Sequence, residues 1–235
     1  FRIFIFYDRG NYTRLTELYM NDGMAKQRLV EEYDTSISTV DKEFVRGVLA
    51  KVKQEAPADS YGLILSSHGG GWVPSDLYDV YLLGEGSRSG EPHIQPLFYA
   101  QDDYDCMEVA DLVDALSDTH YEYIIFDACL MGGIEVAYQL KDSVDYVVSS
   151  PTEILSYGFP YASIMQHIFK TPSDLESVAK EYFDYYNDMS GSSQSATVAV
   201  VKTSELEQVA AQARELFSKY GSNGNFGNNS IDTLQ

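Results

Sequence analysis

The stretch that decides the fold is Tyr123-Ile-Ile-Phe-Asp-Ala-Cys-Leu-Met-Gly132, in which a short apolar run leads straight into a cysteine. An earlier stretch has the same plan, since Tyr61-Gly-Leu-Ile-Leu-Ser-Ser-His-Gly-Gly-Gly-Trp72 ends an apolar run with a histidine and three glycines. Short apolar runs bounded by polar residues or glycine predict strands that are buried on both faces. Because open α/β sheets bind ligands outside the carboxyl ends of their strands, we expect His68 and Cys129 to lie at one edge of a sheet.

The rest of the chain predicts strands and helices in alternation. Strands are predicted at 1–8, 146–150 and 196–201, and helices at 41–55, 105–118, 133–141, 159–169, 175–188 and 206–219, with a loop between the first strand and the first helix. Asp41 is the predicted N-cap of the first helix. The segments 79–83 and 97–100 predict a small hairpin with a long exposed tip. The alternation predicts an α/β fold with a mostly parallel central sheet and helices on both faces.

The length and composition indicate one packed domain. The 235 residues are 44% hydrophobic and 13% aromatic, which excludes a disordered chain, and we expect residues 1–235 to form a single domain. The chain begins directly in a strand and ends in a polar, asparagine-rich segment, so we expect it to be a fragment of a longer precursor. No apolar stretch reaches the roughly 20 residues that span a bilayer, and no membrane contact is predicted within this chain.

The net charge and the small number of cysteines exclude some classes of protein function. Sixteen basic residues stand against 36 acidic ones, a net charge of −20, which argues against binding to nucleic acid or to anionic membranes. An acidic surface is compatible with cationic substrates and also simply keeps a protein soluble. The two cysteines, Cys106 and Cys129, cannot form a disulfide scaffold, and no bridge between them is expected.

The residues around Cys129 and His68 suit nucleophilic catalysis. A strand-to-helix turn exposes the cysteine side chain, and the following helix N-terminus favours a thiolate. The imidazole of His68 could accept the thiol proton, and the glycines beside it leave room for a substrate. The backbone N–H groups of Gly69 and Cys129 would then form an oxyanion hole. The alternatives are a buried cysteine that fills space and a histidine that caps a strand.

Other chemistries that use a glycine-rich tract fit less well. The tract His-Gly-Gly-Gly also forms the oxyanion hole of serine esterases, but the Gly-x-Ser-x-Gly elbow of those enzymes is absent from the sequence. A phosphate-binding loop would need a Gly-Lys-Ser/Thr sequence after the glycines, and none follows. His93, His120 and His167 have no ligand-like spacing to one another or to a cysteine, so no metal site is predicted.

Together the two motifs resemble those of the clostripain-like cysteine peptidases, a bacterial family of the caspase-like clan. The histidine motif is Ser67-His-Gly-Gly-Gly-Trp72, and the cysteine motif is Asp127-Ala-Cys-Leu-Met-Gly132. The resemblance covers about residues 40–165 and includes the turn Tyr157-Gly-Phe-Pro-Tyr161. It implies a caspase-like three-layer sandwich with a small hairpin between the two motifs.

The same resemblance implies a function. It implies an endopeptidase that cleaves peptide or protein substrates after Arg or Lys with His68 and Cys129 as a dyad. Asp127 matches the family acid that faces the basic side chain of the substrate, although a strand-end aspartate can also brace a turn. Glu153 is a second candidate for the same pocket. Family members are commonly zymogens that cut themselves between the two motifs, and Arg88 lies in that interval.

The resemblance also carries expectations about setting and cofactors. It implies a secreted, periplasmic or surface-anchored protein of a bacterium, and we expect a monomer that requires no cofactor. Some members need calcium, and the acidic segment 101–105 is a candidate calcium site, but its spacing lacks the periodic ligands of a calcium loop and we favour a solvated loop. Ser66 departs from the family, in which an aromatic residue is frequent at this position. The alternative function is a catalytically inactive module that binds basic peptides in an acidic crevice.

Overall fold

The structure, a computed structural model, describes residues 1–71, 99–102 and 105–220. In chain order, the strands of this part are β1 (Ile3–Asp8), β2 (Thr13–Asn21), β3 (Met24–Tyr33), β4 (Gly62–Ser66), β5 (Tyr99–Asp102), β6 (Asp105–Met107), β7 (Tyr121–Asp127), β8 (Val144–Ser149) and β9 (Ala199–Lys202). The α-helices of this part are α1 (Lys42–Glu55), α2 (Val109–Leu116), α3 (Ile134–Leu140), α4 (Tyr161–Ile168), α5 (Leu175–Asn187) and α6 (Leu206–Tyr220).

The central sheet has the strand order β4-β7-β8-β9. The pairs β4/β7 and β7/β8 are parallel, and β9 runs antiparallel to β8 at the edge. The sheet is therefore mostly parallel, as the alternation of strands and helices predicts. The carboxyl ends of β4, β7 and β8 consequently lie at the same edge of the sheet.

Helices cover both faces of this sheet, and β7 shows why. Ile124 and Phe126 point into one core, which α1, α2, α3 and α6 complete. Tyr123 and Ile125 point into the other core, which α4 and α5 complete. All four side chains are buried, so the continuous apolar run matches a strand that is covered on both sides.

The first helix begins where the sequence predicts. The Asp41 carboxylate accepts hydrogen bonds from the backbone N–H groups of Glu43 and Phe44, both at 2.9 Å. This side-chain cap satisfies two of the N–H groups that a helix start leaves without a partner. The helix ends at Glu55, two residues before Pro57.

The amino-terminal region differs from the prediction. In place of one strand and a long loop, β1, β2 and β3 form an antiparallel three-stranded sheet that is separate from the central sheet. The hairpin β2/β3 turns at Asp22 and Gly23, whose φ angles are +52° and +74°, as in the two-residue turns that join twisted strands. The pattern escaped prediction because the apolar residues of both strands do not alternate regularly with polar ones.

Ion pairs and aromatic contacts attach this small sheet to α1. The buried Glu17 carboxylate pairs with Arg2 and Arg28, each at 2.7 Å, and Arg28 also pairs with Glu55 of α1 at 3.2 Å. The hydrogen bonds from Arg2 and Arg28 lower the pKa of Glu17 to about 2. Phe6 packs edge-on against Phe44 with ring centroids 5.7 Å apart.

The segment before α2 also departs from the prediction. Residues Asp105–Met107 form β6, which pairs with β5, whereas the sequence pattern predicts a helix from residue 105. The helix begins only at Val109. The predicted hairpin partner of 97–100, the segment 79–83, lies outside the described residues. In the described ranges, no helix combines the length and the apolar character needed to cross a bilayer.

Candidate active site

The register of β4 against β7 places the histidine and cysteine motifs side by side. Ser66 is the register partner of Asp127 in this parallel pair. His68 and Cys129 each follow two residues later, so both leave the sheet at the same level. Neighbouring strands lie about 4.8 Å apart. The two motifs that the sequence predicts to share an edge are therefore adjacent.

Backbone contact at Gly69 joins the two motifs directly. A Cβ atom added at Gly69 would overlap the backbone oxygen of Cys129 and would lie 3.1 Å from the side chain of Ala128. The strand β5 supports the loop from its other side, because Gly69 forms a bridge with Tyr99 and the carbonyl of His68 accepts from the N–H of Ala100 at 2.9 Å. Only glycine fits at position 69 without displacing the cysteine backbone.

The turn that carries Cys129 is tight and is held by the loop after β8. Leu130 has a φ of +63°, a left-handed conformation that is uncommon for a residue with a side chain and is typical of functional turns. The N–H of Leu130 donates to the carbonyl of Thr152 at 3.0 Å, and the N–H of Gly132 donates to Ser150 at 2.8 Å. These two hydrogen bonds fix the direction in which the cysteine side chain leaves the turn.

The sulfur of Cys129 is half-buried and contacts the backbone of Ile154. The N–H of Ile154 donates to Sγ at 3.3 Å, and the thiol lies 3.6 Å from the Ile154 carbonyl. An N–H donor at this position also suits a thiolate. His68 is exposed, and within the described residues no hydrogen bond joins its ring to the sulfur. Free enzymes often have longer distances between catalytic groups than their substrate complexes.

The two predicted oxyanion donors lie in the same small region. No described residue accepts a hydrogen bond from the backbone N–H of Gly69 or of Cys129. Donors that are free to meet an incoming oxygen are what an oxyanion hole requires. Their assignment to that role stays a prediction.

Asp127 ends β7 at the same edge of the sheet. Its Oδ2 atom accepts a hydrogen bond from the Tyr161 hydroxyl at 2.6 Å. Gly158, with a φ of +64°, approaches the carboxylate so closely that an added Cβ would lie 2.7 Å from Oδ2 and 3.0 Å from Oδ1. No basic side chain of the described residues forms an ion pair with Asp127. Within the described residues, the carboxylate thus has a neutral donor and no cationic partner.

Tyrosines surround this carboxylate. Burial, then the hydrogen bond to Asp127 and its negative charge, raise the pKa of Tyr161 far above its ordinary value. Burial and then the charge of Asp127 raise the pKa of Tyr186 to about 12. Both phenols thus remain protonated hydrogen-bond donors at neutral pH, as ordinary tyrosines do, and also in more alkaline solution.

The other predicted residues fall in different places. Glu153 is exposed in the loop after β8, next to Ile154, and no ion pair joins it to a described residue. Arg88 lies outside the described residues. Cys106 and Cys129 are both free thiols.

The candidate calcium segment 101–105 lies only partly within the described residues. Asp102 already accepts hydrogen bonds from the N–H of Thr39 at 2.7 Å and from its hydroxyl at 3.1 Å. Asp103 and Tyr104 lie outside the described part of the chain. In that part, no group of three or more histidine, cysteine or acidic side chains is arranged to hold a metal.

Sequence reasoning missed the parts that Ile154, Gly158 and Tyr161 play at this site. Ile154 contributes through its backbone, which no side-chain pattern reveals. The turn from Tyr157 to Tyr161 stands out in the sequence for its glycine and proline, which signal a special backbone conformation. The signal gives no indication that the turn meets Asp127.

Comparisons with known proteins agree on one family. The family model described as Peptidase C11, the clostripain family, matches residues 1–233. Clostripain of Hathewaya histolytica is 28% identical in an alignment of 148 positions that covers 54% of this chain and 24% of that protein. The chain thus spans about a quarter of the length of this curated relative.

Solved structures of the same family have the same fold. An inactive zymogen C11 protease from Parabacteroides distasonis is 37% identical, with a TM-score of 0.76, over 92% of this chain and 55% of that one. A secreted C11 cysteine protease from Bacteroides thetaiotaomicron, iotapain, is 27% identical, with a TM-score of 0.79, over 93% of this chain and 60% of that one. These similarities confirm the expected caspase-like fold.

The close contact between Gly69 and the Cys129 backbone predicts that any side chain at position 69 destabilises the protein. We expect Gly69→Ala to lower the free energy of unfolding by about 1–3 kcal/mol, because the new methyl group displaces the Cys129 backbone. Urea unfolding measures the change. Gly47→Ala is the matched control, since Gly47 is exposed in α1 with nothing within 4 Å of an added Cβ. That variant should gain about 0.5–1 kcal/mol. Equal stabilities of the two variants would contradict the contact.

Proposed function

Because the chain belongs to the clostripain family, we propose that it is a cysteine endopeptidase that cleaves peptide chains after arginine or lysine. The observation that carries the proposal is the register of β4 and β7, which brings His68 and Cys129 to adjacent positions at one sheet edge. The backbone contact between Gly69 and Cys129 supports it, because it holds the two motifs together. The whole of residues 1–235 would serve as one peptidase domain.

In this mechanism His68 acts first as a base and then as an acid. Its imidazole takes the proton of the Cys129 thiol, and the thiolate attacks the carbonyl carbon of the scissile bond. A carbon–sulfur bond forms, the carbon–nitrogen bond breaks, and the imidazolium gives its proton to the departing amine. Water then hydrolyses the acyl-enzyme, with His68 again as the base. Hydrolysis breaks the carbon–sulfur bond and releases the thiolate. The N–H of Ile154, which donates to Sγ, would stabilise the thiolate before the attack and after this release.

Backbone donors stabilise the negative oxygen of the tetrahedral intermediates. The N–H groups of Gly69 and Cys129 serve as the oxyanion hole, and the absence of a side chain at Gly69 lets the two backbones lie close together. No metal or other cofactor takes part in these steps.

Asp127 is the proposed specificity residue. A carboxylate with no basic partner among the described residues is suited to pair with a guanidinium or an ammonium group of the substrate. Glu153, exposed beside Ile154, is the second candidate for this pairing. The net charge of −20 would also favour the approach of basic peptides.

The proposal extends to maturation and setting. The active form is cleaved after Arg88, and the protein acts as a monomer outside the bacterial cytoplasm. The zymogen among its structural relatives supports maturation by cleavage, and the secreted relative from Bacteroides thetaiotaomicron supports the location.

Covalent labelling tests the dyad. An arginyl acyloxymethyl-ketone probe should label the wild type but not Cys129→Ala, and His68→Ala should react about a hundredfold more slowly because the base is missing. Cys106→Ala is the matched control and should be labelled normally. Mass spectrometry locates the adduct. Equal labelling of wild type and Cys129→Ala would refute the nucleophile, and a folded wild type that is never labelled would favour the catalytically inactive binding module.

Substitution of the two acids tests the specificity. Asp127→Asn keeps the shape of the side chain and removes its charge, so we expect kcat/KM for arginyl and lysyl substrates to fall about a hundredfold. Glu153→Gln makes the same change at the exposed acid and should alter kcat/KM much less. If basic specificity survives in Asp127→Asn and is lost in Glu153→Gln, the two roles are reversed.

Incubation of the purified protein tests self-processing. The wild type should yield a fragment that begins at Ser89, whereas Arg88→Ala and Cys129→Ala should stay intact because one lacks the cleavage site and the other the nucleophile. Gel electrophoresis and amino-terminal sequencing identify the products. A wild-type chain that turns over a fluorogenic arginyl substrate and yet remains whole would rule out this cleavage.

A further inference from the structure

Tyr161 makes the one side-chain hydrogen bond that Asp127 receives within the described residues. Tyr161 is the first residue of α4, and its hydroxyl donates to Oδ2 of Asp127 at 2.6 Å. This short distance is typical of a hydrogen bond to a charged acceptor. A phenol is protonated at neutral pH, and the raised pKa of Tyr161, caused first by burial, keeps it so in more alkaline solution. The phenol can therefore orient the carboxylate without neutralising it.

The backbone on the other side of Asp127 is also fixed. Gly158 lies against Oδ1, Oδ2 and Cγ of the carboxylate, where any Cβ would lie 2.7–3.2 Å from these atoms. The buried Tyr186 of α5 donates its hydroxyl to the carbonyl of Gly158 at 3.0 Å, which pins this part of the turn. The Asp127 carboxylate is thus held between the Tyr161 hydroxyl, which donates a hydrogen bond to it, and the backbone of Gly158, which Tyr186 fixes in place.

We propose that Tyr161 is the positioning residue for the primary specificity of the enzyme. The Tyr161 hydroxyl donates its hydrogen bond to Oδ2 of Asp127 and so fixes the orientation of the carboxylate. Oδ1 and the remaining lone pairs then face the basic side chain of the substrate. The inference rests on the proposed function, since it presupposes that Asp127 binds that side chain. It concerns a residue 34 positions away in sequence, on a different element of the fold.

The test removes one hydroxyl group. We expect Tyr161→Phe to lower kcat/KM for both arginyl and lysyl substrates about tenfold, the effect of a lost hydrogen bond to a charged group. The loss should appear mainly in KM, because the ion pair at Asp127 holds the substrate and its transition state alike. The rate at which iodoacetamide alkylates Cys129 should not change, since this reagent does not use Asp127. A general structural defect would alter both measurements.

Tyr157→Phe provides the matched control. It removes the same group from the same turn, but Tyr157 is 60% exposed and its hydroxyl forms no hydrogen bond with a described residue. Its KM should equal that of the wild type. A Tyr161→Phe enzyme with unchanged KM would overturn the inference, and so would one with a lower KM, because the hydroxyl would then compete with the substrate.

A pair of glycine variants approaches the same carboxylate from its other side. Gly158 and Gly191 have φ angles of +64° and +63°, so alanine strains the backbone similarly at both positions. At Gly191, however, nothing lies within 4 Å of an added Cβ. Only Gly158→Ala should raise KM for basic substrates, because its methyl group displaces the Asp127 carboxylate. Equal KM values for these two variants would contradict the confinement of the carboxylate.

The outcomes separate this inference from the proposed function. If Asp127→Asn loses activity on basic substrates while Tyr161→Phe keeps the wild-type KM, the proposed function stands and the role of Tyr161 is refuted. If Asp127→Asn keeps its basic specificity, the role of Asp127 is refuted, and the role of Tyr161 is refuted with it.

Discussion

The parallel pairing of β4 with β7 is the constraint on which the rest of the site depends. Its register places Ser66 opposite Asp127. His68 and Cys129 follow these residues by two positions, so the register also determines that they lie side by side. A shift of one residue would turn the side chains of a strand to the other face of the sheet. Because β7 is buried on both faces, with distinct side chains in each core, such a shift would disrupt both cores at once. The packing of the strand therefore fixes the alignment of the two motifs.

Close contacts between backbones complete what the register begins. A side chain at Gly69, Gly132 or Gly158 would collide with the backbone of Cys129, with that of Ser150 and Pro151, or with the carboxylate of Asp127. Three loops from different strands can therefore approach more closely than ordinary residues would allow. The left-handed conformation of Leu130 is held by the same contacts, since its N–H is tied to Thr152. Strain at the cysteine turn is compensated by the loops packed around it.

The sequence predicts those parts of the structure that depend on local patterns. The strands before His68 and Cys129 are apolar runs, and Asp41 is a typical helix cap, so both were predictable. The strands β2 and β3 did not show a clear pattern, because their apolar residues do not alternate regularly, although the Asp22-Gly23 pair between them is a hairpin signal. The contact between Tyr161 and Asp127 joins residues 34 apart, and it arises only when α4 packs on the sheet. No local pattern specifies such a contact.

The carboxylates of Glu17 and Asp127 have different kinds of hydrogen-bond partner, and the difference matches a structural role for Glu17 and the proposed binding role of Asp127. Glu17 lies between two arginines, whose hydrogen bonds and charges lower its pKa to about 2, so its charge is matched within the protein. Among the residues that the structure describes, Asp127 has a phenol as its partner in place of a cation. An arginine beside Asp127 would orient the carboxylate equally well, but it would also cancel the charge that a basic substrate needs. A tyrosine supplies direction without charge, which is the combination that a binding site for cations requires.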